Sequence, residues 1–476
     1  MDTLGPPPDL GRSWWLREAL AHEEFEGAPC PPLAGDTAAD VVILGGGYTG
    51  MWTAWFLKER DPGIDVVLLE QDICGGGPSG RNGGFCDGWW GNVVDLVETY
   101  GEDDALELLM HAGRAPSEIG AWCEANGVDA WFRMGGDLAV ASAPAHEGGW
   151  RRTLETAERL GVAGEYLELT PEQVRRRVGS PMFGAGLFMP DAANVQPARL
   201  ARGLRNALLA RGVRIYEDTP VARFGFGAPV VAETPGGTVR AGDAVIGLGA
   251  WATWWRAFKP HLTVRGSYMV VTEPIPDRLE AIGWTGSENV RDLRSSIHYL
   301  RTTPDGRIAI GLGGLQPDLA RHIDPRYAYH EAYVRLVADD LIRMFPELAG
   351  TRFEAGWGGP INVSGFSMPF FGTLEPGNVH YGLGYTGNGV GPSHLGGRIC
   401  AALATRADDG FTRLAVVTRE PKRFPPEPVR SPGMLAVNTA IRRKDDREAV
   451  GQMPDVATRI VATLPRRLGF NLGPRP

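Results

Sequence analysis

The stretch from Asp40 to Glu70 constrains this chain more than any other. Val41-Val42-Ile43-Leu44 is a short, unbroken apolar run, as expected of a strand buried on both faces. Gly45-Gly46-Gly47 follows at once, and Met51 to Leu57 then has helical periodicity until Asp61-Pro62-Gly63 breaks it. Val66 to Leu69 reads as a second buried strand, closed by Glu70. Two buried strands joined through a helix over about 30 residues predict a parallel pair. Gly45, Gly47 and Gly50 fit G-x-G-x-x-G. The first permits the tight turn, the second lets backbone approach a pyrophosphate, and the third lets helix and strand pack closely. Tyr48 and Thr49 open the helix, whose free N–H groups and positive dipole end attract phosphates. Glu70 stands 20 residues after Gly50, where a carboxylate accepts hydrogen bonds from ribose hydroxyls and repels a 2′-phosphate. A Gly-rich loop alone is compatible with no ligand. Strand, helix and acid together predict a dinucleotide site.

The rest of the chain is mixed. Helices are expected at 102–125, 150–160, 197–211, 327–344 and 393–405, and strands at 213–216, 244–249 and 379–384. Segments 230–233 and 238–240 flank the turn Pro235-Gly236-Gly237 and suggest a hairpin. Alternating, β-branched stretches at 264–272 and 296–312 suggest an antiparallel sheet, while 366–372 reads as irregular. The Pro-rich first 35 residues, with Trp14-Trp15, read as an extended surface arm. No repeat is visible.

Composition removes several classes of function. The formal charge of −9 argues against nucleic acid as the main partner. From Phe411 to Pro476 there are 13 Lys+Arg against 6 Asp+Glu, so the last segment carries +7 and the rest −16. This basic tail reads either as an extension packed on its own body or as a contact to a second subunit or a membrane. Cys30, Cys74, Cys86, Cys123 and Cys400 are scattered without CxxC spacing, so neither a metal site nor a disulfide framework is expected. No apolar run approaches the roughly 20 residues of a membrane span. With no secretory signal visible in the N-terminus, a cytoplasmic protein is expected.

Five segments together carry a resemblance: DVVILGGGYTG from Asp40, SGRNGG at Ser79 to Gly84, MPDAANVQPARLARGL at Met189 to Leu204, GLGAW at Gly247 to Trp251, and GYTGNGVGPSHLGG at Gly384 to Gly397. The chain resembles the D-amino-acid oxidase superfamily of flavoproteins. Within it, DICGGGPSGRNGG is most similar to the γ-glutamylputrescine and aminophosphonate oxidoreductase branch. The resemblance implies an α/β (α+β) chain with a Rossmann-like FAD domain on a parallel sheet, an antiparallel-sheet substrate domain and a C-terminal extension. The expected divisions are an arm at 1–38, FAD-binding segments at 39–130, 185–258 and 350–408, substrate segments at 131–184 and 259–349, and a basic extension at 409–476.

It also implies FAD, expected to be non-covalent because no His lies in 71–90 and Cys74 and Cys86 are equally plausible as core residues. Gly77, Ser79, Arg81, Asn82 and Gly83 are expected near the flavin, with Val221 and Gly249. Gly384, Tyr385, Thr386, Gly387, Asn388 and Gly389 are expected under the flavin ring, at the start of the last helix. His394 either touches the flavin or caps that helix. The implied reaction is two-electron oxidation of a small primary or secondary amine, with oxygen or another electron acceptor. A flavin-bearing subunit of a larger complex is the alternative, and a homodimer through the extension is a further option.

On the substrate side, Tyr268, His298, Tyr299 and Arg301 are the expected inward residues of the antiparallel sheet. A Tyr or His could hold the amine neutral, and Arg265 or Arg301 could grip a carboxylate or phosphonate. Strand alternation means that about half of them face away. Trp89, Trp90, Trp251, Trp254 and Trp255 could line an aromatic cavity for a cation, or be core. Two positions depart from the sarcosine-oxidase pattern, which carries lysines where this chain has Ala309 and Gly391. Rapid use of oxygen and N-methylglycine chemistry are therefore in doubt.

Overall fold

The computed structural model describes residues 2–3, 11–315 and 323–474. Strand Thr37–Leu44 lies centrally in a nine-stranded sheet, paired in parallel with Val66–Leu69 on one side and Gly237–Ile246 on the other. Arg214–Tyr216 extends the parallel set beyond Val66–Leu69, and Val379–Leu383 joins in parallel at Ala244 to Ile246. Val41 to Leu44 and Val66 to Leu69 are buried without alternation, because layers cover both faces of the sheet. On one face, helices Tyr48–Arg60, Pro197–Ala210 and Pro392–Ala404 pack together.

A second, eight-stranded sheet runs 353–364, 262–272, 308–315, 298–302, 289–292, 137–140, 186–189, 167–169. Its pairs are antiparallel except 289–292 with 137–140. Helix Glu331–Met344 covers one face, where Val270, Leu300, Ile310, Val337 and Leu341 form a core. Strands Gly186–Met189 and Phe353–Ser364, which fall within the expected FAD-binding segments, pair in this sheet.

Several local expectations change. The described part of the N-terminus is not an extended surface arm. It forms helix Trp14–Leu20, capped by Ser13 Oγ accepting from Leu16 N–H, and both Trp14 and Trp15 are buried against Trp357 and its neighbours. Residues 4–10, with Pro6, Pro7 and Pro8, lie outside the described residues. The expected helix at 102–125 is two helices, Glu102–Gly113 and Ala115–Ala125, because Pro116 has no N–H to continue the ladder. The 230–246 region is one hairpin whose second strand runs unbroken through Gly242-Asp243, paired on both sides. Phe370–Leu374, expected to be irregular, is a strand antiparallel to Val379–Leu383.

Helices Arg430–Ala449 and Val456–Arg467 of the extension pack on each other and on this same chain. Among the described residues no helix is long and apolar enough to cross a membrane, and no cluster of His, Cys, Asp and Glu could hold a metal.

Candidate active site

Between the two sheets lies a cavity of about 1370 Å³, larger than the roughly 300–1,000 Å³ of most small-molecule pockets. One end is the glycine turn. Gly45 has φ of +106°, and a Cβ there would meet the Gly247 carbonyl oxygen at 2.7 Å. Gly50 works from behind the wall: a Cβ on it would lie 2.0 Å from the Gly45 oxygen. Gly45, Gly47, Tyr48 and Thr49 line the cavity, whereas Gly50 does not. Glu70 closes this end, its carboxylate accepting from the N–H groups of Gly46 at 2.7 Å and Asp72 at 3.0 Å. Burial pushes that carboxyl up to about 7 despite both bonds. Gly77, Val221 and Gly249 line the cavity, as do Trp251, Trp254 and Trp255. Trp89 and Trp90 belong to the core instead.

The SGRNGG segment is folded tightly on itself. Asn82 Nδ2 donates to the carbonyls of Pro78 and Ser79, both at 3.0 Å, and its Oδ1 accepts from Gly84 N–H at 2.7 Å. Ser79 Oγ accepts from Tyr48 N–H at 2.9 Å, joining this segment to the first helix. Arg81 is held by the carbonyls of Gly76 and Gly358. Ser79, Arg81, Asn82 and Gly83 all line the cavity. Opposite, Tyr385, Thr386, Gly387, Asn388 and Gly389 form the wall leading into helix Pro392–Ala404. Gly384 does not line the wall; it turns the chain at φ of +86° against Phe370. Thr49 Oγ1 donates to Tyr385 Oη at 3.1 Å, tying the two Gly-rich segments together.

His394 points away from the cavity, its ring against Trp52 and Phe56 at centroid distances of 4.8 and 5.0 Å. Burial drives its pKa down to about 3, so the ring is neutral. These residues fit a flavin dinucleotide. The turn excludes a Cβ at Gly45, an acid ends the second strand, and one cavity continues from Glu70 past Gly387 to the substrate sheet.

The structure separates the four substrate-side residues. Only Tyr299 lines the cavity; its hydroxyl lies 2.6 Å from Ser267 Oγ, and burial raises its pKa to about 12. Tyr268 and His298 both pair with Leu312 across the sheet, so they share the opposite face, toward helix Glu331–Met344. Tyr268 donates to the Arg326 carbonyl at 2.8 Å within the core. His298 is fully buried, with Nδ1 2.7 Å from Asp292 and Nε2 2.6 Å from Asp340. Burial opposes its charge, but the two carboxylates outweigh that and raise its pKa to about 9.

Arg301 shares the Tyr299 face, yet the strand has by then run beneath the N-terminal helix. Its guanidinium lies over Trp15 and donates to the carbonyls of Gly83 at 2.7 Å and Val195 at 2.6 Å. It therefore holds the SGRNGG segment and contacts no cavity. Arg265 does line the cavity. Its buried Nε has no hydrogen-bond partner, and burial without a counter-charge lowers its pKa.

The two departures from the sarcosine-oxidase pattern have structural reasons. Ala309 is sealed under Trp14 and Trp15. A Cβ on Gly391 would lie 2.2 Å from the Asp87 carbonyl oxygen.

Other cavity residues escaped the sequence reading. Asp87 directly follows the SGRNGG segment by three residues, a signal that could have found it. Its Oδ1 is buried without a partner, and its pKa rises to about 7 through burial and Asp137, against the pull of Arg291. Asp292, Arg294, His146, Lys444 and Glu448 also line the cavity, and nothing in their local sequence marks them.

A family model described as FAD dependent oxidoreductase, DAO, matches residues 40–403. The chain is 31% identical over 400 residues to gamma-glutamylputrescine oxidoreductase of Escherichia coli (strain K12), covering 83% of this chain and 90% of that protein. Probable oxidoreductase OrdL of Rhizobium meliloti (strain 1021) is 28% identical over 406 residues, covering 84% and 90%. Glycine oxidase from Geobacillus kaustophilus superposes with a TM-score of 0.65 at 21% identity, over 80% of this chain and 99% of that one, a likeness of fold.

Proposed function

The chain belongs to the DAO family of FAD-dependent oxidoreductases, enzymes acting on CH–NH and CH–NH2 groups, and on that premise we propose that it oxidises a small amine carrying an anionic or acylated tail. Amino acids, aminophosphonates and acylated diamines such as γ-glutamylputrescine make up the class. The observation that carries this reading is Arg265, a desolvated cation on the cavity wall with no partner of its own among the described residues. A substrate carboxylate or phosphonate would supply the missing charge, and bidentate pairing would orient it.

FAD would be held by the Gly45–Gly50 turn, Glu70, Ser79 to Gly83 and Tyr385 to Gly389. Bound there, it would supply two-electron acceptor chemistry, a hydride leaving the carbon next to the nitrogen, and water would then hydrolyse the imine to an aldehyde or keto acid with release of ammonia or an amine. The chain's own residues prepare that event. Asp87, titrating near 7, accepts the ammonium proton so that the nitrogen lone pair is free. Tyr299 stays protonated and offers a hydroxyl already oriented by Ser267. Attachment of FAD is non-covalent in this reading: Cys74 and Cys86 are buried and neither lines the cavity. With Ala309 standing where the sarcosine-oxidase pattern carries a lysine, an acceptor other than oxygen is favoured. A homodimer through the extension is also part of this reading, because its outer face exposes Leu435, Met453, Val456 and Ile460.

Anaerobic titration of the purified protein, followed by visible absorption, tests the core of the proposal. The amines are 2-aminoethylphosphonate, γ-glutamylputrescine, sarcosine and glycine. Bleaching by an amine with an anionic or acylated tail is expected. A yellow protein that none of them bleaches would remove the substrate class.

A further inference from the structure

Residues 404–474 lie outside the family match, yet they form part of the cavity wall. Helix Arg430–Ala449 presents Lys444 and Glu448 on one face, four residues apart, with Lys444 Nζ 2.6 Å from Glu448 Oε2. Both line the cavity, and both are largely shielded from solvent, at 15% and 11% exposure. Between them in sequence, Asp445 is 1% exposed and aims at a different target. Its carboxylate accepts from the N–H groups of Ser295 at 3.1 Å and Ser296 at 2.8 Å.

Those serines belong to the turn 293–297, which joins strands Asn289–Asp292 and His298–Thr302. Leu293, Arg294, Ser295 and Ile297 of this turn all line the cavity. The turn is clamped from both sides. Inside, Asp292 accepts from His298 N–H at 2.9 Å while the His298 ring bridges Asp292 and Asp340. Outside, Asp445 caps it. Lys444 Nζ reaches Ser295 Oγ at 3.3 Å, and His146 Nε2 lies 3.5 Å from Glu448. Arg294 Nε is buried with no hydrogen-bond partner.

A single-purpose docking contact would leave no charged groups facing the cavity, since burying charge is costly. Here the extension and the turn it holds present three cations, Lys444, Arg466 and Arg294, and the Glu448 carboxylate to the same space. We propose that the C-terminal extension is a specificity-determining wall of the active site. In it Lys444, Glu448, Arg294 and Ser295 bind the charged end of the amine substrate, remote from the oxidised carbon. Because the wall carries both signs, a zwitterionic end fits it better than a single charge. This inference rests on the amine-oxidising reading.

The test uses the FAD-loaded full chain and its Lys444→Met, Glu448→Gln and Asp445→Ala variants, with two separate readouts. The first is quenching of flavin fluorescence by iodide and by neutral acrylamide, which needs no substrate. Asp445→Ala should raise both quenching constants severalfold, because the turn and the helix no longer close that side. The second compares γ-glutamylputrescine, which has a zwitterionic end, with N-acetylputrescine, which has none. Lys444→Met and Glu448→Gln should raise KM for the former about tenfold while kcat changes much less, the pattern of lost uniform binding. KM for N-acetylputrescine should move far less. Quenching that Asp445→Ala leaves at the wild-type value would overturn the wall. Equal effects of the point variants on both amines, or none on either, would overturn the assignment of Lys444 and Glu448. Wild-type protein that no amine reduces is a failure of the amine reading itself, and the quenching result then decides the wall alone.

Discussion

At the residue scale, the fold has moved the ionisation of a few buried groups, and the proposed chemistry rests on one of them. Asp87 is held near 7 by burial and by Asp137. If it takes the ammonium proton, it works only when ionised, so kcat/KM should rise with pH through about 7. Asp87→Asn should lose that limb and lower kcat by about 10²-fold or more, the usual worth of a positioned base. Retention of the same pH profile in Asp87→Asn would assign the base elsewhere. His298 makes a different prediction, about stability. Its pKa is raised from 6.5 to about 9, so the native state binds its proton more tightly than the unfolded chain does. The resulting stabilisation is fully present below pH 6.5 and is lost as pH rises through about 9. Urea unfolding of the holoprotein should therefore weaken by about 3 kcal/mol across that window, and His298→Gln should flatten the dependence. Parallel slopes in the two proteins would show that His298 is not the group responsible. Tyr268, His298 and Arg301 were all legible as polar residues in strands. Which face each occupied was not, because a period of two admits either register until the partner strands are known.

At the element scale, the glycines act by what they let come close. Gly391 opens the path into helix Pro392–Ala404, and its Cα sits against the Asp87 backbone. Gly391→Ala would place a methyl 2.2 Å from the Asp87 carbonyl. The strain, about 1–3 kcal/mol for overpacking, should appear as weaker FAD retention on gel filtration and a lower melting temperature. Gly433, in helix Arg430–Ala449, has nothing within 4 Å of the equivalent position. Gly433→Ala should therefore stabilise by roughly 0.5–1 kcal/mol through helix propensity alone. If both substitutions behaved alike, close approach would not be what position 391 requires. The strand–turn–helix from Thr37 to Arg60 was legible because apolar run, glycine spacing and helical period all coincide within 30 residues. Phe370–Leu374 was not, since its pairing with Val379–Leu383 is set by a turn whose neighbours look irregular.

At the scale of the whole molecule, the chain folds its two ends back onto its middle. The N-terminal helix seals Ala309 and Arg301 beneath Trp14 and Trp15, and the C-terminal helices wall the cavity. The outer face of the extension leaves Met453 at 76% and Val456 at 61% exposed. Pairing of that face with a second copy predicts a dimer by sedimentation velocity, and a double Met453→Glu, Val456→Glu variant that sediments as a monomer. A monomeric wild type would remove the dimer. The sequence by itself determined the two-sheet architecture and the strand–turn–helix whose glycine turn ends on the cavity wall. Those depend on local signals: short buried strands, glycines where a Cβ cannot fit, and an acid one strand further on. Tertiary structure alone decided which polar residues line the cavity. Arg265, Tyr299, Asp87, Arg294, Lys444 and Glu448 come from segments as far apart as residues 87 and 448. Strand register, burial and the docking of the extension bring them into one cavity, and none of these is encoded within any window short enough to read as a motif.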